Sequence, residues 1–393
     1  MRFAPLVNRV AGSGAEAWAL HVRARQMQAQ GRAILFLTVG DPDFDAPAPV
    51  TEAAVTALRT GRTHYSPISG EPQVRAAVAA RHQAAHGVPT TAENVVLVPG
   101  AQPGVFFALQ CLAGPGDEVI VPEPMYATYE AVVGATGATL VNVPLRPETG
   151  FHLDLEALAR AVTPRTRVIW INTPHNPSGA VMTAGEVAFV CDLARRHDLW
   201  VLSDEVYERM VFDRPHVSPC SLPGMAGRTV VVSSLSKSHA MSGYRFGWIV
   251  APKEAAAHLG NVLLCSLYGG PPFVQDAALA ALTLDLPEVG IMRDAYRRRA
   301  SLFVERLANQ PGLRAVPPEG GMFVMLDIRG TGLGAFAFGE RLLEEEGVAV
   351  LPCDGFGASA AGHLRVSLAA DDDKLADAAD RIARLARRLR DDA

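Results

Sequence analysis

The chain has 393 residues and a net charge of −5, and 49% of its residues are apolar. That length allows two domains or one large domain with an appendage, and the mildly acidic balance gives no electrostatic basis for binding nucleic acid or a membrane surface. The five cysteines (Cys111, Cys191, Cys220, Cys265 and Cys353) are scattered without a Cys-x-x-Cys pair, which predicts small buried hydrophobes in a reducing compartment and neither a disulfide framework nor a metal site.

At the start of the chain, Met1-Arg2-Phe3-Ala4-Pro5-Leu6 lacks the apolar core of a signal peptide. No apolar stretch is long enough to span a bilayer, so a cytoplasmic location is expected. From about residue 94, β-branched runs alternate with amphipathic stretches, the pattern of a parallel sheet covered by helices on both faces. Strands are expected at Asn94 to Val98, Glu118 to Val121, Ala138 to Val143, Arg167 to Asn172, Trp200 to Asp204, Thr229 to Ser233 and Phe246 to Val250. Between them, helices are expected at Pro103 to Leu112, from about Tyr126, at Asp154 to Val162 with Asp154 as N-cap, and after the capping box Thr183-Ala184-Gly185-Glu186 to near His197. The rhythm then changes. A long basic helix, Pro287 to Asn309, leads to a strand at Met322 to Ile328 and a helix at Ala335 to Glu346. Short strands near Val348 to Leu351 and His363 to Leu368 precede a charged terminal helix. The expected division is an N-terminal arm with part of a small domain over 1–47, a large domain over 48–286, and the rest of the small α+β domain over 287–393.

The most informative run is Ser233-Ser234-Leu235-Ser236-Lys237, closely following Val230-Val231-Val232 and followed by Arg245. It sets an amine past the end of a buried strand, beside hydroxyls at Ser234 and Ser236 and a guanidinium suited to a phosphate. An enzyme that holds pyridoxal phosphate as a Schiff base needs that combination. A surface lysine in a Ser-rich turn would read the same in isolation, but four more clusters fall at strand ends, where an open parallel sheet binds ligands. Gly100-Ala101-Gln102 opens a helix whose amides and dipole suit a phosphate, or is a plain strand-to-helix turn. Pro174-His175-Asn176-Pro177-Ser178-Gly179 fixes the Asn176 amide between prolines, as a donor to a phenolate or as a simple turn. Asp204-Glu205-Val206-Tyr207 puts a carboxylate where burial requires a cation such as a protonated pyridine nitrogen, with Tyr207 able to share the phenolate oxygen with Asn176. A helix N-cap with a core tyrosine is the plainer alternative. His363-Leu364-Arg365-Val366-Ser367 offers Arg365 to a carboxylate, unless it lies on a solvated strand face.

Five such clusters in this order exceed coincidence, and they resemble the class I/II aminotransferases of the fold-type-I pyridoxal-phosphate family over about Leu37 to Leu368. The resemblance implies an α/β fold with a mostly parallel seven-stranded sheet in an α/β/α sandwich, plus a smaller α+β domain from both termini. It implies pyridoxal 5'-phosphate as cofactor, amino acid and 2-oxo acid substrates, and a homodimer with shared active sites. By matching position, Lys237 is the Schiff-base lysine and proton carrier, Asp204 meets the pyridine nitrogen, and Asn176 and Tyr207 meet the phenolic oxygen. Ala101, Gln102, Ser234 and Arg245 hold the phosphate, Tyr126 stacks on the ring, and Gly40 and Arg365 contact the substrate carboxylate. Tyr65 reaches the phosphate of the neighbouring subunit. Ala101 departs from the serine of some members, and His175 stands where asparagine is commoner. Within the family, the runs 11–18, 123–131 and 320–325 resemble the arginine–pyruvate transaminases. Glu16 and Trp18 in the N-terminal arm then become candidates to hold a guanidinium, against a surface Glu and a core Trp. No basic residue lies between Asn261 and Pro272, which argues against a dicarboxylate donor. A β-lyase or decarboxylase on the same fold remains an alternative. A ligand-sensing regulator would need a DNA-binding module that the sequence does not show, and a dehydrogenase would need a Gly-x-Gly-x-x-Gly turn at Gly100.

Overall fold

The computed structural model describes residues 1–11 and 18–391. Its strands, in chain order, are β1 (Leu35–Phe36), β2 (Val95–Val98), β3 (Glu118–Glu123), β4 (Thr139–Pro144), β5 (Thr166–Asn172), β6 (Trp200–Asp204), β7 (Thr229–Ser234) and β8 (Gly247–Val250). Then come β9 (Arg314–Val316), β10 (Phe323–Asp327), β11 (Val348–Ala349), β12 (Leu351–Pro352) and β13 (His363–Ser367). Strands β2 to β8 form one seven-stranded sheet in the order β2-β8-β7-β6-β5-β3-β4. The strand β8 alone runs opposite to the other six.

Strand alternation explains why this sheet must be covered twice. Val230 and Val232 of β7 pack with Val96 and Val98 under the helices Ala101–Leu112 and Lys253–Ser266. Val231, between them, faces the opposite layer, with Val95, Leu97 and the helices Ala48–Arg59, Pro72–His86 and Pro272–Thr283. Farther along that face, Ile169, Ile171 and Val201 meet Val187 and Val190 of the helix Ala184–Arg196. Each such aliphatic side chain contributes roughly 1.5–3 kcal/mol by burial.

The second unit is an antiparallel sheet in the order β12-β13-β10-β9, packed on the helices Pro287–Leu307, Ala335–Glu346 and Asp372–Asp391. The N-terminal segment joins it: Leu35 of β1 pairs in parallel with Val348 of β11, and Ala24 and Met27 pack on Leu343 and Ala349.

Several expected boundaries move. The helix expected from Pro103 begins at Ala101, because proline is tolerated anywhere in a first turn where its missing N–H has no partner. The helix expected from Tyr126 begins at Tyr129, and the long basic helix ends at Leu307. The strand expected over Val348 to Leu351 is two strands in two sheets, hinged at Val350. Strand β13 has no solvated face; all five of its residues are buried, because it lies inside the sheet between β10 and β12. The capping box and the Asp154 cap stand as read, with Glu186 N donating to Thr183 Oγ1 and Ala157 N to Asp154 Oδ1.

Candidate active site

The carboxyl ends of β2, β3, β5, β6 and β7 share one edge of the sheet, and the side chains just beyond them face a cavity of about 250 Å³. Lys237 lies three residues past β7. Its Nζ donates to the Gly40 carbonyl, and burial lowers its pKa to about 8, with Arg365 and Arg245 adding to the fall and Asp41 opposing it. A neutral amine is therefore accessible near physiological pH, as a nucleophile requires.

Asp204 ends β6 and is buried. Burial raises its pKa to about 6, against the pull of a hydrogen bond from Tyr129 and one from the Val206 amide. Asn172 ends β5 and joins two parts of the site: its Nδ2 donates to the Asp204 carbonyl at 3.0 Å, and its Oδ1 accepts the Asn176 N–H at 2.8 Å. Tyr207 is buried with its ring edge-on to Phe323, and burial raises its pKa.

Arg365 reaches the same cavity from β13. Its guanidinium donates to Asn176 Oδ1 at 3.0 Å and to the Thr38 carbonyl at 2.6 Å, and its carbon lies 4.1 Å from the Phe323 ring centroid. The residue is 2% exposed, its Nε has no partner, and no carboxylate among the described residues pairs with it. A buried cation left this way is built to receive an anion.

Glycine is required at two places. A Cβ on Gly40 would lie 2.3 Å from Phe323 Cζ, and one on Gly100, at φ +97°, would lie 2.4 Å from Arg245 Nη2. Arg245 is thereby held at the start of the helix Ala101–Leu112, donating to the Pro99 and Ser242 carbonyls.

Of the residues singled out by sequence, Lys237, Asp204, Tyr207, Asn176, Ala101, Gln102, Tyr126, Ser234, Ser236, Arg245, Gly40, Arg365 and Trp18 all line this one cavity. Gly100 adjoins it through Arg245. Tyr65 does not line it; the side chain is 86% exposed and stands edge-on to Tyr268, 5.2 Å between ring centroids. Glu16 lies outside the described residues. Sequence reasoning missed Tyr129 and Asn172. The signal for Asn172 was a polar residue closing the apolar run Val168 to Ile171; for Tyr129 it was a second tyrosine three residues after Tyr126.

Residues 32–382 match the family described as aminotransferase class I and II. The chain belongs to this family. It is 52% identical over 99% of both chains to the arginine–pyruvate transaminase of Pseudomonas aeruginosa, and 37% identical to the aspartate/prephenate aminotransferase of Thermus thermophilus, over 93% of this chain and 94% of that one. Among solved structures it resembles the aspartate aminotransferase of Rhizobium meliloti, with a TM-score of 0.93, 30% identity and 99% of each chain covered. The Thermus thermophilus aspartate aminotransferase with maleate gives a TM-score of 0.92 at 36% identity, covering 98% of this chain and all of that one. The protein is thus a fold-type-I, pyridoxal-phosphate-dependent aminotransferase that moves an amino group from an amino acid to a 2-oxo acid. No helix among the described residues is long and apolar enough to cross a membrane.

The cavity fits that cofactor. Asp204 is a buried carboxylate with no cation partner among the described residues, which a protonated ring nitrogen would satisfy. A helix N-terminus, Arg245 and two serine hydroxyls that also line the cavity supply what a phosphate needs.

Proposed function

We propose that Lys237 is the residue that binds the cofactor covalently and carries the proton, and that the preferred reaction passes the amino group of L-arginine to pyruvate. The observation that carries the residue assignment is the convergence of the Lys237 amine, the Asp204 carboxylate and the unpaired Arg365 guanidinium on one cavity. When bound, pyridoxal phosphate supplies an aldehyde that condenses with amines and a cationic ring that withdraws electrons. The protein's own groups do the rest. Asp204 keeps the ring nitrogen protonated, Asn176 and Tyr207 donate to the phenolic oxygen, and Tyr126 packs on the ring. Gly100, Ala101, Gln102, Ser234, Ser236 and Arg245 hold the phosphate. Arg365, with Gly40 and Asn176, orients the substrate carboxylate. Displaced by the incoming amine, Lys237 Nζ would take the substrate's α-proton and deliver it to the cofactor carbon on the other side of the amino nitrogen, general acid–base work typically worth about 10²–10⁴-fold.

Support for arginine comes from the relative at 52% identity, which carries that activity in its name. Trp18 at the cavity wall presents an indole to a cationic side chain, and Glu16 is proposed to complete that contact. The basic side chains lining the cavity, Lys237, Arg245 and Arg365, already have assigned tasks, which leaves none for the second carboxylate of aspartate. We further propose a cytoplasmic homodimer in which Tyr65 serves the partner's phosphate site, with domains dividing near residues 48 and 287.

The test has two arms. Lys237→Ala should bind cofactor without the absorbance band of the lysine-bound form and turn over negligibly; normal turnover would remove the assignment. A donor screen with pyruvate should rank arginine above alanine, lysine, aspartate and the aromatic amino acids. If aspartate leads, the arginine reading falls while the aminotransferase stands.

A further inference from the structure

We infer that Tyr129 is a positioning residue for this reaction: its hydroxyl holds the Asp204 carboxylate ionised and aimed at the cofactor ring nitrogen. The inference rests on the assignment of Asp204 made above and adds a residue to it.

Tyr129 opens the helix Tyr129–Thr136, is buried, and packs on Trp170 of β5, whereas Lys237 follows β7 on the other side of β6. Its hydroxyl donates to Asp204 Oδ2 at 2.6 Å, a short, charge-assisted bond. The phenol cannot swing away, because the Trp170 indole stacks on it at 3.9 Å with the planes 28° apart, and Tyr126 stands edge-on at 5.8 Å. Asp204 has one other donor among the described residues, the Val206 amide, a longer bond at 3.2 Å to Oδ1. The backbone of Asp204 is fixed separately, by the Asn172 amide and by its pairing in β6. Among the described residues, the hydroxyl of Tyr129 is therefore the one side-chain donor that sets the direction and charge of the carboxylate.

The other titratable groups around Asp204 push the opposite way or do nothing for its charge. Burial raises its pKa, the neighbouring Glu205 carboxylate adds to the rise, and burial likewise raises the pKa of Tyr207 and keeps that phenol neutral. Glu205 itself turns away to Ser203, Ser218 and His216. Removing the Tyr129 hydroxyl leaves burial unopposed except by one amide, so Asp204 becomes a stronger proton acceptor. One proton is shared between Asp204 and the ring nitrogen. As the carboxylate gains proton affinity, that proton moves from the ring to Asp204, and the ring withdraws electrons less.

Tyr129→Phe tests this by deleting one oxygen. In holoenzyme reconstituted with ring-¹⁵N pyridoxal phosphate, the wild-type nitrogen should resonate as protonated and that of Tyr129→Phe should move towards the unprotonated position. Turnover should fall about tenfold with KM for the amino donor within twofold, because the substrate carboxylate site is untouched. Trp170→Phe serves as comparator: it loosens the stack but keeps the donor, and should leave the nitrogen signal at the wild-type position. An unchanged signal in Tyr129→Phe, or the same movement in Trp170→Phe, overturns the role of the hydroxyl. An unprotonated nitrogen in the wild type would instead overturn the assignment of Asp204.

Discussion

Arg365 shows how a single side chain can declare a ligand. Taking a guanidinium out of water costs several kcal/mol, and here two carbonyl-type acceptors and the faces of Phe323 and Phe356 offset only part of that. Burial accordingly lowers its pKa. A substrate carboxylate would complete the pairing through the planar fork of the guanidinium. Lysine cannot reproduce two parallel bonds from one rigid plane. Arg365→Lys should therefore raise KM for both the amino acid and the oxo acid by about 10- to 100-fold, the equivalent of roughly 1.5–3 kcal/mol for a charged hydrogen bond, while leaving cofactor absorbance intact. Steady-state kinetics of both half-reactions would decide it, and a change confined to one substrate would show that Arg365 does not serve the carboxylate common to both.

Elements were legible in the sequence where burial wrote them into composition. Strands β2 to β8 read through because a two-sided sheet demands near-continuous apolar runs, and the helix at Ala184 read through because Thr183 and Glu186 cap it. The helices Ala48–Arg59, Lys253–Ser266 and Pro272–Thr283 were not placed, and their N-termini explain why: each follows a proline at the cap position, without a side-chain cap bond. The site divides in the same way. Motifs contiguous in sequence, such as those at Asn176, Asp204 and Lys237, were readable, whereas the Tyr129–Asp204 contact joins residues 75 apart. The tyrosine spacing could flag Tyr129 itself, but nothing in the sequence pairs it with Asp204.

Arg299 is a further long-range contact of that kind, and it binds elements together. From the helix Pro287–Leu307 its guanidinium grips both oxygens of Asp43 at 2.8 Å and adds bonds to Asp372 and to the Leu368 carbonyl. It thus ties the segment just after Gly40 to the start of the terminal helix. Arg299→Ala would leave Asp43 to the Tyr296 hydroxyl and water and would remove the buried stem of the arginine, a loss on the order of 1 kcal/mol. Denaturant unfolding should record it as a lower midpoint with an unchanged slope, and loss of the Asp43 anchor should also raise KM through Gly40. A midpoint within error of the wild type would show that the clamp contributes nothing net.

At the scale of the whole molecule, the surface carries apolar groups that a lone chain leaves in water. Tyr65 and Tyr268 form an exposed aromatic pair, Leu264 is exposed on the helix Lys253–Ser266, and Phe106 is exposed on the helix packed against it. An exposed aromatic pair of this kind suits an association surface. The proposed dimer makes an asymmetric demand that a mixture of variants can expose. In a hybrid of one Lys237→Ala chain and one Tyr65→Ala chain, one site lacks both groups. The other has its own Lys237 and receives the intact Tyr65 of its partner. Each parent dimer is defective at both sites: one has no lysine, and the other lacks a phosphate contact worth roughly 1 kcal/mol or more. The hybrid, purified by differential tags, should therefore retain lysine-bound cofactor through dialysis at one site per dimer and recover about half of wild-type turnover. If Tyr65 instead served its own chain, both sites of the hybrid would be damaged, and no recovery beyond the Tyr65→Ala parent would appear.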